Sequence, residues 1–554
     1  MENQIRKIIA DAVGDLQKDW QKPVTDLVYD VQVSRDPSRG DFAVNAAFKI
    51  ARQIGKPPKA VADELLAWIE TRRKKIKEAA FITRVEIAGA GFLNFYVKQT
   101  AMTDILTEVL RQDERYGLSD FGKGRKTVVE FVSANPTGPL TIAHGRQAAV
   151  GDCLVRILRH TGHDVTAEYY LNDAGRQMNL LGESVYVRYL GNFEMEAVFP
   201  EDGYHGTYIH DIAKALVAAR KDELLTLDKA EAIAEARQFA AKMMMGTIEH
   251  DLEAIGVRFD SYFSESTLYT KNAVEEALEV LKERGHLFEQ DGALWFRSTA
   301  FGDDKDRVVK KTTGDYTYLA PDIAYHRSKF ERGFNQIVNL WGPDHHSYIT
   351  RLKAACRALG YEQETIDVLI VQLTTLYRNG TPVRMSTRAG EFVTLEELRN
   401  EVGPDATRFF FIMRRVETPL DFDLDLAKKK SDENPVYYLQ YAYARIASLI
   451  RFSGRQVPDK ANLELLEAPE ELNLIKVISE FPKALVSASQ MLEPYRLADY
   501  LRELAAAFHK FYAHHRVVSD NEELTKARLI LAEAARMTLR NGLRLLGISQ
   551  PETM

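Results

Sequence analysis

Three patterns of hydrophobic and polar positions follow one another along the chain. Up to about residue 110, apolar residues at helical spacing alternate with short β-rich runs, which predicts a small α+β unit. From about residue 127 to 423, apolar β-rich runs alternate with helical patterns, which is typical of a parallel sheet with crossover helices. From residue 425 onward, apolar residues recur at three- and four-residue spacing, which predicts a helix bundle.

Individual elements can be placed within these segments. In the first segment, we predict helices at 5–16, near 47 and at 60–69, and extended segments at 28–33, 82–87 and 92–97. In the second, we predict strands at 127–132, 165–171, 336–341 and 368–373, with a helix-rich insertion over about 192–296. In the third, we predict helices at 437–450, 472–491, 498–514 and 527–546. We therefore expect three domains, at 1–115, 120–425 and 426–554.

Composition narrows the class of protein. A chain of 554 residues with 45% hydrophobic and 28% charged residues is typical of a soluble protein of several domains. Its two cysteines, Cys153 and Cys356, cannot form a disulfide framework or a cysteine zinc site by themselves. We expect a cytoplasmic protein, because no apolar run approaches the length of a membrane span and the first residues lack a signal core. The net charge of −7 leaves room for a local basic face.

A strand predicted at 127–132 runs into a loop rich in proline and glycine, and a helix is predicted to begin near Gly145. This arrangement suits phosphate binding, because free backbone N–H groups and the helix dipole face the ligand. The loop contains neither of the usual glycine-rich phosphate motifs. His144, at the helix start, could donate to a phosphate or to an adenylating transition state; alternatively it only caps the helix.

A second candidate is a basic loop between glycines at 380 and 390. Arg384 and Arg388 flank Met385 and Ser386, so two guanidinium groups could stabilise negative charge that develops on a leaving pyrophosphate. The alternative is an ordinary basic surface loop.

A third candidate is acidic. Tyr318 and Asp322 lie four residues apart and would share a face on one helical turn, although Asp322 follows a proline and could simply cap that helix. A buried carboxylate there, joined by Glu130, could grip a guanidinium by charge-assisted hydrogen bonds. An unpaired acidic pair makes little sense for a neutral substrate. His345 and His346 form only a weak metal candidate, since no third ligand is in view.

These motifs resemble those of class I aminoacyl-tRNA synthetases, and their flanking residues resemble the arginyl family. The first histidine of the family's HIGH loop is Thr141 here, and the two lysines of its KMSKS loop correspond to Arg384 and Thr387. A related cysteinyl enzyme would carry zinc-binding cysteines that this chain lacks. The resemblance implies a Rossmann-like α/β catalytic domain between an α+β N-terminal domain and an all-α C-terminal domain.

The resemblance also implies roles for individual residues. Catalysis is implied for His144, Thr141, Arg384, Ser386 and Arg388. ATP binding is implied for Thr141, His144, Gly145, Met385 and Ser386. Arginine binding is implied for Glu130, Ser133, Asn135, Tyr318, Asp322, Asp344 and His345.

The two flanking domains would meet RNA. The C-terminal segment resembles the family's anticodon-binding domain, in which tyrosines can stack on bases and arginines can contact phosphates, as implied for Tyr437, Tyr441, Arg445 and Arg540. Tyrosines at helical spacing are otherwise ordinary core residues. The segment around Arg39 resembles the family's RNA-elbow-binding module.

The implied reaction has two steps: L-arginine attacks ATP to give arginyl-adenylate and pyrophosphate, and the 3′ adenosine of tRNA(Arg) then accepts the arginyl group. Mg²⁺ would accompany ATP through the phosphates, with no dedicated protein metal site. No editing domain is needed, and we expect a monomer. Two alternatives stay open. One is a nucleotidyltransferase that adenylates a small molecule without tRNA, and the other is a non-catalytic paralogue that only binds tRNA.

Overall fold

The computed structural model describes residues 1–34, 39–73, 79–362, 365–383 and 393–554. These residues form two units. The first consists of Met1–Glu114, Leu449–Ser479 and Ala507–Met537, and the second of Arg115–Ser448, Glu480–Ala506 and Thr538–Met554.

The N-terminal segment is an α+β fold, as predicted. Its elements are α1 Glu2–Trp20, β1 Val31–Val33, β2 Phe42–Val44, α2 Ala46–Ile54, α3 Pro58–Arg72, β3 Ile82–Ala88, β4 Phe92–Val97 and α4 Gln99–Gln112. The four strands pair antiparallel in the order β1-β2-β4-β3. The apolar stripe of α1 is buried, which explains why its 3–4 spacing predicted the helix correctly.

The central segment is built on a five-stranded parallel sheet in the order β12-β11-β5-β6-β7. Its first elements are β5 Lys126–Glu130, α5 Ile142–His160, β6 Asp164–Leu171, α6 Arg176–Gly191, α7 Thr207–Arg220, α8 Lys229–Ala254, β7 Ser261–Ser264, α9 Ser266–Thr270 and α10 Ala273–Glu283. There follow β8 Leu287–Gln290, β9 Ala293–Phe296, β10 Arg307–Lys310, α11 Leu319–Glu331, β11 Gln336–Trp341, α12 Ile349–Ala358 and β12 Ile366–Ile370. The chain leaves β5 toward β6 on one side and returns as β11 on the other, so a crevice is expected at the carboxyl ends of β5 and β11.

The remaining elements are two short sheets and a series of helices. Strands β8 to β10 pair antiparallel, and β13 Thr374–Arg378 pairs with β14 Thr381–Pro382 and with β15 Leu420–Asp423. The helices are α13 Leu395–Val402, α14 Pro404–Ile412, α15 Leu424–Lys428, α16 Pro435–Phe452, α17 Pro469–Ser479, α18 Phe481–Gln490, α19 Tyr495–His514 and α20 Glu522–Leu546. Within the described residues, no strand follows β15, as the helical periodicity predicted. None of the described helices combines the length and the apolar character that crossing a membrane requires.

Three predicted elements were wrong in detail. The insertion predicted over 192–296 contains β7, a strand of the central sheet, and α10, which packs against α11; the helices that pack together are α6, α7 and α8. The strand predicted at 368–373 ends at Ile370, and β13 belongs to another sheet. The helix predicted at 472–491 is two helices, because Pro482 lies in the first turn of α18 and has no N–H with which to continue α17.

Arg408 joins three elements of the second unit and is almost fully buried. Its Nε donates to the Leu546 carbonyl at 3.0 Å, Nη1 to the Ile255 carbonyl at 2.8 Å, and Nη2 to the Asp152 carboxylate at 2.5 Å. These carbonyls belong to the C-terminal ends of α20 and α8, whose last carbonyls lack partners within the helix. Gly547 lies against the guanidinium with a positive φ, and a Cβ there would come within 2.3 Å of Nη2. Arg408 therefore fixes both helix ends to α5.

Candidate active site

A cavity of about 710 Å³ lies where the chain topology places a crevice, at the carboxyl ends of β5 and β11. It is lined by the loop after β5, the start of α11, the end of β11 and the turn after it. Eight predicted site residues line it: Glu130, Ser133, Asn135, His144, Tyr318, Asp322, Asp344 and His345. Residues far apart in the sequence are thus brought to one site, in agreement with the grouping that the sequence predicted.

The loop after β5 leaves the sheet through two consecutive left-handed residues, Val132 with φ 68° and Ser133 with φ 40°. Its backbone is held by two tyrosine hydroxyls. Tyr169 donates to the Ala134 carbonyl at 2.6 Å, and Tyr208 of α7 donates to the Thr137 carbonyl at 2.7 Å. The loop is therefore shaped in advance by neighbouring helices and strands rather than by a glycine-rich sequence.

His144 and Thr141 form a reciprocal cap at the start of α5, which begins at Ile142 rather than near Gly145. The Thr141 backbone N–H donates to His144 Nδ1 at 3.2 Å, and Thr141 Oγ1 lies 3.2 Å from the same nitrogen. Burial lowers the pKa of His144 to about 4, so the ring is neutral at pH 7. Since Nδ1 accepts, the proton resides on Nε2, which is left to donate to a ligand. His144 does cap the helix, and the cap fixes the tautomer in which Nε2 can donate to a ligand.

Two predicted ATP-binding residues do not line the cavity. The Thr141 hydroxyl lies against His144, although we expected it to face a phosphate. Gly145 is buried against other side chains: a Cβ there would come within 2.7 Å of Leu395 Cδ1 and 3.1 Å of Phe411 Cε2. Close packing against Leu395 and Phe411 favours glycine at this position.

Asp322 is not the cap of α11, because that helix begins at Leu319 and Tyr318 is its N-cap residue. Asp322 lies within the first turn and faces the cavity together with Tyr318. Burial raises the pKa of the Asp322 carboxyl to about 7, and the carboxylates of Glu130 and Glu265 add to the effect. The Tyr348 hydroxyl and Lys329 act in the opposite direction. Asp322 is thus a carboxyl group poised to ionise fully when a cation approaches.

Glu130 has a partner that the sequence did not reveal. Its Oε2 accepts from Lys329 Nζ at 2.6 Å, and its Oε1 accepts from Ser133 Oγ at 3.2 Å. The prediction that neither Glu130 nor Asp322 has a cationic partner within the protein was therefore wrong for Glu130. The residues that sequence reasoning missed are Lys329 and Glu265.

Glu265 is the further carboxylate of the cavity wall. It follows β7, at the same carboxyl edge of the sheet as Glu130. Burial raises the pKa of Glu265, although Tyr269, which donates to its Oε1 at 3.0 Å, opposes the rise. Recognition of β7 in the sequence would have drawn attention to the residue after it, because ligands of parallel sheets bind beyond the strand ends.

The turn after β11 contributes Asp344 and His345, and the ring of His345 lies 5.9 Å from that of Trp341. In the part of the chain that the structure describes, no three His, Cys, Asp or Glu residues are grouped so that they could hold a metal ion. Asn135, also in the wall, donates its amide to Gln177 of α6.

The other predicted residues lie elsewhere. Arg384, Met385, Ser386 and Arg388 fall outside the described residues. On α16, the rings of Tyr437 and Tyr441 stack with centroids 6.1 Å apart, and Arg445 lies over Tyr441 at 5.5 Å. Tyr443 of the same helix is buried, so the core interpretation of tyrosines holds for that residue. Arg540 donates to Asn541 Oδ1. None of these described residues lines the cavity.

The parallel sheet, the strand–loop–helix at its centre and the cavity beside it lie in the part of the chain that matches the catalytic domain of class I aminoacyl-tRNA synthetases. Residues 105–411 match the family described as "tRNA synthetases class I (R), catalytic domain". Residues 3–97 match "Arginyl tRNA synthetase N terminal domain", and residues 439–554 match "DALR anticodon binding domain". The predicted fold class is confirmed.

The chain belongs to the arginyl-tRNA synthetase family. It is 45% identical over 558 residues to arginine–tRNA ligase 1 of Halalkalibacterium halodurans, which covers 100% of this chain and 99% of that protein. It is 47% identical over 554 residues to arginine–tRNA ligase of Bacillus cereus, covering 99% and 98% of the two chains. The structure of Thermus thermophilus arginyl-tRNA synthetase, 23% identical, covers 100% of both chains with a TM-score of 0.77 and shows the same fold. The resemblance proposed from the motifs is confirmed.

Proposed function

We propose that this enzyme activates L-arginine with ATP and transfers the arginyl group to the 3′ adenosine of tRNA(Arg). The observation that carries the proposal is the cavity beside the β5–α5 loop, which presents Asp322 and Glu265 to its contents. Within the described part of the chain, neither carboxylate forms an ion pair, and burial raises the pKa of both. A cationic substrate removes the cost of ionising them, and a planar guanidinium can bridge two carboxylates.

We assign separate sets of cavity residues to the side-chain end and to the main-chain end of the amino acid. We assign the guanidinium to Asp322 and Glu265, with the Tyr318 ring as a wall. Ser133 and Asn135, in the loop between β5 and α5, would hold the amino acid's main-chain groups, together with Asp344 and His345 from the turn after β11. The family pattern includes Glu130 among the arginine-binding residues; its contact with Lys329 suggests an indirect role.

ATP would bind across the start of α5. The N–H groups of its first turn that are not used by the cap and the Nε2–H of His144 are donors suited to phosphate. Mg²⁺ would arrive with ATP, held mainly by phosphate oxygens. The cations of Arg384 and Arg388, with Met385 and Ser386 between them, would close over the pyrophosphate. The catalytic power would come from positioning and charge stabilisation, without a covalent enzyme intermediate.

The flanking domains would hold tRNA(Arg). We propose that residues 426–554 bind the anticodon, using the Tyr437–Tyr441 stack, Arg445 and Arg540, because stacked aromatic rings and nearby guanidinium groups fit unstacked bases and phosphates. Residues 1–115 would bind the tRNA elbow. We further propose that the enzyme is a monomer and acts in the cytoplasm, where translation occurs.

A charging assay tests the proposal. The purified enzyme is incubated with ATP, total tRNA and each of the twenty amino acids in turn, and we expect aminoacylation with arginine alone. Loading of lysine or cysteine would contradict the specificity. Adenylate formation on another small molecule without tRNA would indicate a nucleotidyltransferase, and tRNA binding without any charging would indicate a non-catalytic paralogue.

Arginine binding should depend on pH through Asp322. Its pKa of about 7 in the free site means that the carboxyl group is protonated in acid, where it cannot pair with a guanidinium. We expect KM for arginine to be constant above pH 8 and to rise about tenfold per pH unit below pH 7. KM for ATP, measured in the same buffers, should change little above pH 5, because His144 has a pKa of about 4 and stays neutral. A flat KM for arginine between pH 5.5 and 8 would contradict this assignment.

Thr141 should tolerate replacement. The backbone N–H of residue 141 holds His144 Nδ1, and this contact survives any side chain except proline. We expect Thr141→His to change kcat by less than about tenfold, the size of one modest hydrogen bond. Pyrophosphate exchange in the presence of tRNA measures the effect, with Thr141→Ser as the control. Complete loss of activity would mean that residue 141 does not occupy the first histidine position of the family's loop.

A further inference from the structure

Beneath the floor of the cavity lies a lysine that touches no solvent. The Lys329 side chain is 0% exposed, and its ammonium donates to Glu130 Oε2 at 2.6 Å and to Asn339 Oδ1 at 2.9 Å. It also lies 4.2 Å from the ring centroid of Tyr325. A lysine is almost never buried to this extent unless it is paired, so the contact with Glu130 is a condition for its presence.

The contacts of Lys329 continue toward Asp322. An ammonium only donates, so Asn339 must turn its oxygen to Lys329 and its NH₂ group to His326 Nε2, 2.9 Å away. His326 Nε2 therefore accepts, and Nδ1 carries the proton that is donated to the Asp322 carbonyl at 2.9 Å. Burial lowers the pKa of His326 well below its usual value, which keeps this neutral form. One continuous series of hydrogen bonds thus joins the loop after β5 to the backbone of Asp322.

We propose that Lys329 is a positioning residue that determines the specificity of the arginine pocket: it takes up the charge of Glu130 and fixes Asp322, so that Asp322 and Glu265 are left for a cationic substrate. This inference rests on the proposed function. It assigns Glu130 to the internal structure of the site, as the counter-ion of Lys329, in place of direct contact with the guanidinium.

The charges around Asp322 explain why Lys329 matters. Glu130 approaches from the end of β5, Glu265 from the segment after β7, and Lys329 from the same helix as Asp322. The hydroxyls of Tyr318 and Tyr348 also face it, and Tyr170, Tyr269 and Cys356 lie close enough to interact with its charge. Glu130 and Glu265 favour the protonated form of Asp322, whereas Lys329 favours the carboxylate. Without Lys329, three carboxyl groups would share the site with no internal cation in contact with Glu130.

The test compares the pH dependence of KM for arginine in the full-length wild-type enzyme and three variants. In Lys329→Met we expect the pH midpoint to rise by about one unit, so that KM at pH 7 increases about fivefold and recovers at pH 9. Glu130→Gln removes a like charge from beside Asp322 but leaves Lys329 without its ion-pair partner, so we expect a lower melting temperature together with a fall in the midpoint while Lys329 stays protonated. The double variant should return the midpoint close to that of wild type, because both charges are removed together.

Several results would overturn the inference. One is an unchanged pH midpoint in a Lys329→Met protein that melts at the wild-type temperature and binds ATP normally. Another is loss of arginine binding at every pH in Glu130→Gln, which would show that Glu130 holds the substrate directly. If Lys329→Met does not fold, the pH midpoints of Glu130→Gln and of the double variant test the inference instead. A purely structural role of Lys329 predicts no difference between these two midpoints. Lys329→Arg, which keeps the charge, should preserve the wild-type profile. Failure of the proposed function is distinct, since the wild-type enzyme itself would then not charge arginine.

Discussion

Replacement of Asp322 by asparagine is expected to lower kcat/KM for arginine by about a thousandfold or more. A site built to hydrogen-bond a substrate group discriminates by several orders of magnitude when the pairing is lost. Asparagine has nearly the same shape but cannot pair its charge with a guanidinium, and its NH₂ group would face the substrate's N–H donors. Pyrophosphate exchange with tRNA present, followed at several arginine concentrations, measures the loss.

A stability measurement separates this effect from misfolding. The folded-state pKa of Asp322, about 7, lies above its ordinary value of 3.8. The free energy of unfolding that Asp322 contributes therefore falls as the pH rises from about 4 to 7; above pH 7 its buried carboxylate opposes folding by the full amount, and a neutral asparagine removes that opposition. At pH 8 we expect Asp322→Asn to melt at the same temperature as wild type or higher. Near-normal arginine charging by a folded Asp322→Asn protein would refute the guanidinium role.

Replacement of Arg408 by methionine is expected to be the most destabilising change in the second unit. The substitution leaves the ends of α8 and α20 without a donor for the Ile255 and Leu546 carbonyls. Removing one partner of a buried ion pair typically costs about 3–5 kcal/mol. Asp152 keeps a second contact with Arg156 at 2.7 Å, which favours the lower end of that range. Thermal unfolding by calorimetry measures the change as a fall of several degrees in the melting temperature.

A neighbouring arginine provides the matched control for Arg408. Arg414 is exposed on the surface that follows α14, so Arg414→Met removes the same charge without opening a buried site. Arg408→Met combined with Asp152→Asn should recover part of the loss, because the carboxylate is then neutral. Equal melting temperatures for the Arg408 and Arg414 variants would contradict the role assigned to this contact.

Periodicity explains what could be predicted from the sequence. The apolar residues of α1 and of the C-terminal helices recur at helical spacing because each helix buries one face. The strands β5, β6 and β11 are β-rich runs buried on both faces, so they stand out in the sequence. The gathering of Tyr318, Asp322 and His144 at one cavity followed from the family motifs on these elements.

Short elements and long-range pairs could not be predicted in the same way. The strand β7 is four residues, Ser-Tyr-Phe-Ser, at the edge of the sheet, with neither alternation nor length to mark it, and Glu265 was missed with it. Lys329 lies in a stretch of mixed charges that is typical of an exposed helix face. Its burial depends on Glu130, which is 199 residues away in the sequence. The two residues come together because β5, which ends at Glu130, pairs with β11, the strand that follows the helix of Lys329.

The turn at Val132 and Ser133 has a consequence for engineering. Left-handed backbone at a non-glycine residue stores about 1–3 kcal/mol, and a β-branched side chain such as that of Val132 is the least suited to it. Glycine would relax this bend but would also give up the packing of a side chain that is 6% exposed and allow the loop more conformations. Libraries aimed at thermostability should therefore include glycine at these two positions. Libraries aimed at new amino-acid substrates should exclude it, so that the loop keeps its shape.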